Sequence, residues 1–100
     1  VEDKMTGKGT FTWKNGDKYV GDFVEDKKSG KGTFTWKNGD EYVGDFVDDT
    51  LTGQGIYYYL NGDIYAGDWL DGKRSGKGLY SWKSGEIYEI YTKFKLVSKL

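Results

Sequence analysis

A segment of 23 residues recurs along this chain, and that recurrence limits the fold more than any single residue does. Gly30 to Thr52 reads GKGTFTWKNGDEYVGDFVDDTLT. Gly7 to Ser29, before it, reads GKGTFTWKNGDKYVGDFVEDKKS and differs at five positions. Gly53 to Ser75 follows as GQGIYYYLNGDIYAGDWLDGKRS, and a fourth copy, 76–98, begins GKGLYSWKSGEIY before it diverges. A period between 20 and 50 residues marks an array of stacked units, none of which can bury its apolar face alone. Function must then be sought in the surface that the stack presents.

Each copy holds two short runs with period-two alternation, rich in β-branched and aromatic residues. In the first copy these are GTFTWK (9–14) and KYVGDFV (18–24). Such runs read as strands, and Asn15-Gly16-Asp17 between them reads as a turn. A polar connector, Glu25 to Ser29, follows. Phe11, Trp13, Tyr19 and Phe23 are all odd-numbered, so a shared face requires cross-strand partners whose numbers sum to an even value. A two-residue Asn-Gly loop would give odd sums and split Trp13 from Tyr19. The common type I′ hairpin is therefore rejected here in favour of a loop of three or five residues. One such register sets Trp13 opposite Tyr19, Phe11 opposite Gly21 and Gly9 opposite Phe23. A ring over a cross-strand glycine fills the gap left by the missing side chain. Because 23 is odd, the next link must be an even loop, with Phe23 expected opposite Gly32, Gly21 opposite Phe34 and Tyr19 opposite Trp36.

The fold expected is all-β: an elongated single antiparallel sheet of four successive hairpin repeats, twisted and curved, with one face lined by rings. Residues 1–6, VEDKMT, match VEDKKS at 24–29 and are expected to be the tail of a truncated preceding repeat. Repeats then cover 7–29, 30–52, 53–75 and 76–98. The even positions from Tyr88 to Leu96 are mostly apolar, so 89–100 is expected to form a long capping strand that ends the array. The opposite face carries Thr10, Thr12, Lys14, Val20 and Asp22, polar enough to face water.

Composition narrows the function. Aromatic residues make up 18% of the chain, which excludes low-complexity disorder despite sixteen glycines. No apolar run approaches the length of a membrane span. Cysteine and histidine are absent, and no serine has an evident base, so catalysis lacks its parts and no enzyme activity is expected. Asp17, Asp40, Asp63 and Glu86 supply one carboxylate per hairpin, too few for calcium, and read as turn residues. No metal or cofactor is expected. The net charge of −1 hides blocks of +2 over 1–37, −8 over 38–72 and +5 over 73–100. The acidic block would repel a phosphate backbone, so nucleic acid is not an expected partner.

The pattern G-x-G-x-F/Y-x-W/Y-x-N-G-D-x-Y-x-G-x-F/W at this spacing, in four copies over 7–88, resembles the MORN (membrane occupation and recognition nexus) repeat family. The fourth copy departs from it at Ser84, Glu86, Ile90 and Thr92. The resemblance implies hairpin repeats in an elongated sheet. It also implies a scaffold role in cytoskeletal and membrane-junction proteins, or beside enzymes such as phosphatidylinositol phosphate kinases and lysine methyltransferases. Protein segments and acidic phospholipids are the partners it implies.

The leading expectation is a non-enzymatic scaffold that binds a protein segment, an amphipathic helix or peptide, in the aromatic groove. Trp13, Tyr19, Trp36, Tyr42, Tyr59, Tyr65, Trp82 and Tyr88 are its candidate contacts. The alternative is peripheral binding of acidic phospholipid through Lys73, Arg74, Lys77 and Lys83 at the basic C-terminal end. A cytoplasmic location, with cytoskeletal or membrane association, fits either. The strand at 9–14 exposes an unpaired edge, so self-association through that edge or through the aromatic face is also expected.

Overall fold

The structure, a computed structural model, describes residues 6–91 and 96–99. Among these residues nine strands in simple sequential order form a single antiparallel sheet: β1 (Gly7–Thr12), β2 (Lys18–Val24), β3 (Lys27–Thr35), β4 (Glu41–Val47), β5 (Thr50–Tyr58), β6 (Ile64–Leu70), β7 (Lys73–Ser81), β8 (Ile87–Tyr91) and β9 (Leu96–Lys99). Among the described residues there is no helix, and so none that could cross a membrane.

The aromatics do share one face, as parity requires, but the register is shifted by two from the one expected. Phe11 stands opposite Tyr19, Gly9 opposite Gly21 and Gly7 opposite Phe23. The reason lies in the turn. Trp13 N–H bonds Asp17 O at 2.8 Å and Gly16 N–H bonds Trp13 O at 3.0 Å, which closes a three-residue loop. Gly16 takes φ +106°, the left-handed residue that such a loop needs. Asn15 Oδ1 accepts the Asp17 N–H at 2.9 Å and holds the turn.

The connector is shorter than the sequence implied. Only Glu25 and Asp26 turn the chain, with φ 48° and 69°; Lys27 to Ser29 already belong to β3. Asp48-Asp49 and Asp71-Gly72 repeat that geometry. Positive φ at both central residues is the type I′ signature, whose twist matches that of the flanking strands. The type I′ turn excluded at Asn-Gly is thus used between repeats. Here too the parity is as expected and the pairing is not: Tyr19 faces Phe34 and Gly21 faces Gly32. Between Gly21 and Phe23 the register slips, so that Asp22 spans Ser29 to Lys31. The slip recurs at Gly44/Phe46 and Gly67/Trp69.

Direct pairing therefore collects residues into rows across the sheet. One row runs Gly9, Gly21, Gly32, Gly44, Gly55, Gly67, Gly78. The adjacent row is aromatic on every strand from Phe11 on β1 to Tyr88 on β8. Rings meet glycine after all, but diagonally. A Cβ at Gly32 would collide with the Tyr19 ring, one at Gly55 with Tyr42 and one at Gly78 with Tyr65. Each glycine thus leaves a slot into which the tyrosine of the preceding hairpin lies down.

Two further departures follow. β8 closes at Tyr91 and β9 returns antiparallel to it, with Ile90 opposite Leu96, so the terminus is not one long capping strand. Pairing β8 with β9 satisfies backbone groups that a lone last strand would leave open. Thr92 and the basic positions Lys93 and Lys95 lie outside the described residues. The second departure concerns the opposite face. Its central row alternates Thr10, Val20, Thr33 and then becomes Val43, Ile56, Ala66, Leu79. It faces water, but its second half is apolar, because the third and fourth copies replace the threonines of the first two.

Candidate functional site: the ring-lined face

The rings of the aromatic face form two ladders. The first links Phe23, Tyr19, Phe46, Tyr42, Trp69 and Tyr65 through centroid separations of 5.0–5.4 Å and interplanar angles of 82–89°. All six are buried. Edge-to-face contact sets the positive rim of one ring on the negative face of the next. The second links Phe11, Trp13, Phe34, Trp36, Tyr57, Tyr59, Tyr80, Trp82 and Tyr88 at 4.5–5.7 Å, with angles of 33–71°. Apart from buried Phe34, its members are half-buried or exposed.

The eight candidate groove residues therefore separate. Tyr19, Tyr42 and Tyr65 are essentially sealed, at 0%, 0% and 1% exposure. Their hydroxyls are used inside the chain, donating to the backbone oxygens of Asp22, Asp45 and Asp68 at 2.8, 2.9 and 3.3 Å. The glycine slots draw these three candidate contacts into the core. Trp13, Trp36, Tyr59, Trp82 and Tyr88 keep accessible surface. Phe34, Tyr57 and Tyr80 belong to the same ladder.

Burial shows in the phenols. It is the main cause that pushes Tyr19 and Tyr42 up to about 12, helped by the charges of Asp22 and Asp45. Burial also raises Tyr80 to about 12 and raises Tyr57, each aided by a hydrogen bond to a carboxylate. Those carboxylates are the turn aspartates. Asp40 Oδ2 accepts from Tyr57 and Asp63 Oδ2 from Tyr80, both at 2.8 Å. Their other oxygens accept the N–H of Leu60 and Lys83, at 2.7 and 2.8 Å, as Asp17 accepts that of Lys37 at 2.7 Å. These backbone bonds cross to the next repeat. Each aspartate staples one turn to its successor. The Lys83 N–H and the Tyr80 hydroxyl hold Asp63 below the usual carboxylate range.

A second aspartate in each of the first three repeats, Asp22, Asp45 or Asp68, fills the bulge. It accepts the N–H of Lys31, Gln54 or Lys77 at 3.4, 3.0 and 3.4 Å. A Cβ at Gly30, which has φ +88°, would press on Asp22.

Sequence reasoning missed the column Lys28, Leu51, Arg74, one residue per repeat, because it placed these positions in a loop. They pair with Phe23, Phe46 and Trp69 and share the aromatic face. The Lys28 ammonium lies 5.0 Å from the Trp13 ring centroid and 5.4 Å from that of Phe34. The Arg74 guanidinium lies 5.4 Å from Tyr65 and 5.7 Å from Tyr80. These are cation–π distances. Counting alternate residues back from Gly30 would have found the column. Beside Arg74 an open cleft of about 420 Å³ is lined by Tyr57, Tyr59, Trp69, Gly72, Lys73 and Arg74.

The four candidate lipid contacts do not converge. Arg74 is on the aromatic face, and Lys73 precedes it at the start of β7. Lys83 lies beyond the far end of that strand, in the turn that follows it. Lys77 bonds Glu89 at 3.2 Å. Among the described residues, no group of three or more acidic side chains could hold a metal ion.

Comparison with curated proteins found no match to this chain. The family model of the MORN repeat matches four times, over 1–18, 19–41, 42–64 and 65–87. Its unit opens on the slotted tyrosines Tyr19, Tyr42 and Tyr65, so its phase differs from the glycine-first frame while its period is the same. MORN repeats are non-enzymatic modules of protein and membrane interaction. With four matched units over 1–87, folded as consecutive hairpins of one sheet, this chain belongs to the MORN repeat family.

Proposed function

We propose that this chain is an interaction scaffold whose accessible ring ladder holds a protein segment, helix or peptide, laid across the hairpins. One observation carries the reading. Nine rings run without a break over a face that, among the described residues, no second layer covers, whereas domains ordinarily bury such a face between two layers. Accessible contiguous apolar surface of this kind marks interaction sites, and Trp and Tyr dominate their energetics. The scattering of Lys73, Arg74, Lys77 and Lys83 favours this reading over the lipid one, which needs them on one surface.

The test takes a segment captured by the chain and measures its affinity for wild type, for Trp36→Ala/Tyr59→Ala and for Lys73→Glu/Lys77→Glu. The ring variant should bind about 30-fold more weakly, as expected when hot-spot rings are lost. The lysine variant should bind within about threefold of wild type, and added salt should matter little. Retained binding in the ring variant, with loss in the lysine variant, would replace the groove by electrostatic attachment.

A further inference from the structure

The Lys28, Leu51 and Arg74 positions are equivalent by repeat but not by state. The Lys28 side chain is only 13% exposed, and its ammonium is 3.2 Å from Asp49 Oδ1. Its charge is answered within the chain. Leu51 packs against the core and carries none. Arg74 is exposed, lies over the Tyr65 and Tyr80 rings and, among the described residues, forms no ion pair. The neighbouring turn differs as well. Where the other turns have Asp26 and Asp49, the third has Gly72, and a Cβ there would meet nothing within 4 Å. The cleft beside Arg74 is therefore unobstructed on that side.

None of the eight acidic residues of 38–72 lines this cleft. Asp40 and Asp63 have both oxygens engaged. Asp45 and Asp68 are in the bulges, and Asp48, Asp49 and Asp71 are in the turns. A planar guanidinium resting on ring faces still offers its N–H edge to a carboxylate, in two parallel bonds. A headgroup or phosphate with several negative charges would call on several cations at once, and here Lys77 is occupied by Glu89 and Lys83 is at the far end of β7.

We propose that Arg74 is the anion-reading position of the ring-lined face: the bound protein segment sets an Asp or Glu side chain on the guanidinium, beside an apolar or aromatic side chain lodged on Tyr57 and Tyr59. This rests on the groove reading above and gives it a chemical specificity, an acidic residue next to a hydrophobic anchor.

A displayed library of random 16-residue peptides, panned on the intact chain and in parallel on Arg74→Glu, tests it. Peptides selected by wild type should be enriched in an acidic residue within four positions of an aromatic or large aliphatic one. The same synthetic peptide should bind Arg74→Glu at least tenfold more weakly, and its Glu→Lys version should recover binding to that variant. Arg74→Gln, with its thermal unfolding compared with wild type, separates loss of contact from loss of fold. Peptides that need Trp36 and Tyr59 but show no acidic preference would overturn the role of Arg74 and leave the groove standing. Failure to select any peptide would overturn both. A third arm uses vesicles of phosphatidylcholine with and without phosphatidylinositol 4,5-bisphosphate. Arg74-dependent binding to the charged vesicles alone would also overturn the proposal, making lipid the occupant.

Discussion

The two ring ladders run side by side over the same strands and are built from the same residue types, yet one is sealed and the other, Phe34 apart, keeps accessible surface. The difference is what lies beneath and beside the rings. Tyr19, Tyr42 and Tyr65 lie over Gly32, Gly55 and Gly78, where no Cβ stands in the way, and so sink against Phe and Trp neighbours edge to face. Trp13, Trp36 and Tyr59 pack at the head of the three-residue turns, tilted against the next repeat, and stay partly wet. In a single-layer repeat protein, then, glycine placement decides which aromatics are core and which remain surface.

Alkali should have the largest effect, because it acts on tyrosines of both ladders together. Folding raises Tyr19, Tyr42 and Tyr80 from 10.0 to about 12. A raised folded-state value means that the unfolded chain loses its protons first. The stabilisation is full below pH 10 and is lost as pH rises towards 12. Urea midpoints measured at pH 8, 10, 11 and 12 should be flat at first and then fall steeply. A flat profile to pH 12 would remove the buried phenols from the account.

Next in size is ring deletion within the sealed ladder. Tyr42→Ala should cost about 3–5 kcal/mol in denaturant unfolding, since the ring is wholly buried. Tyr59→Ala, in the accessible ladder, should cost about half as much and act mainly on partner affinity. Equal costs would erase the distinction between the ladders.

The glycine row gives a sharper contrast. Gly55→Ala drives a methyl into the Tyr42 ring and should destabilise by about 3 kcal/mol. Gly9→Ala places its methyl 3.5 Å from Phe23, an ordinary contact, and should be neutral or gain about 0.5 kcal/mol from the lower backbone entropy of the unfolded state. Similar outcomes for the two would mean that the slots do not hold the core.

The smallest effect expected is that of a single hydroxyl. Tyr42→Phe should lower stability by about 1 kcal/mol, through the lost bond to Asp45 O, and leave partner affinity unchanged. A loss of affinity at unchanged stability would put Tyr42 back in the groove.

The 23-residue unit, the strand pairs, the sharing of one face by the rings and the alternation of an odd loop with an even one are all legible in the sequence. All of these follow from period and parity, which are local. Parity cannot see a shift of two. The choice among registers that differ by two was made by the fit of tyrosine rings over paired glycines, by the φ > 0 turns at Glu25-Asp26 and their repeats, and by aspartates that bond across to the next repeat. Those contacts join residues 9–21 positions apart, so no single run of sequence displays them. Once the tertiary register had moved Lys27 to Ser29 from the connector into β3, Lys28 and Arg74 came to lie over rings. The same shift sealed Tyr42 and left Tyr59 accessible, because Tyr42 lies in the slot at Gly55 while Tyr59 stands at the turn.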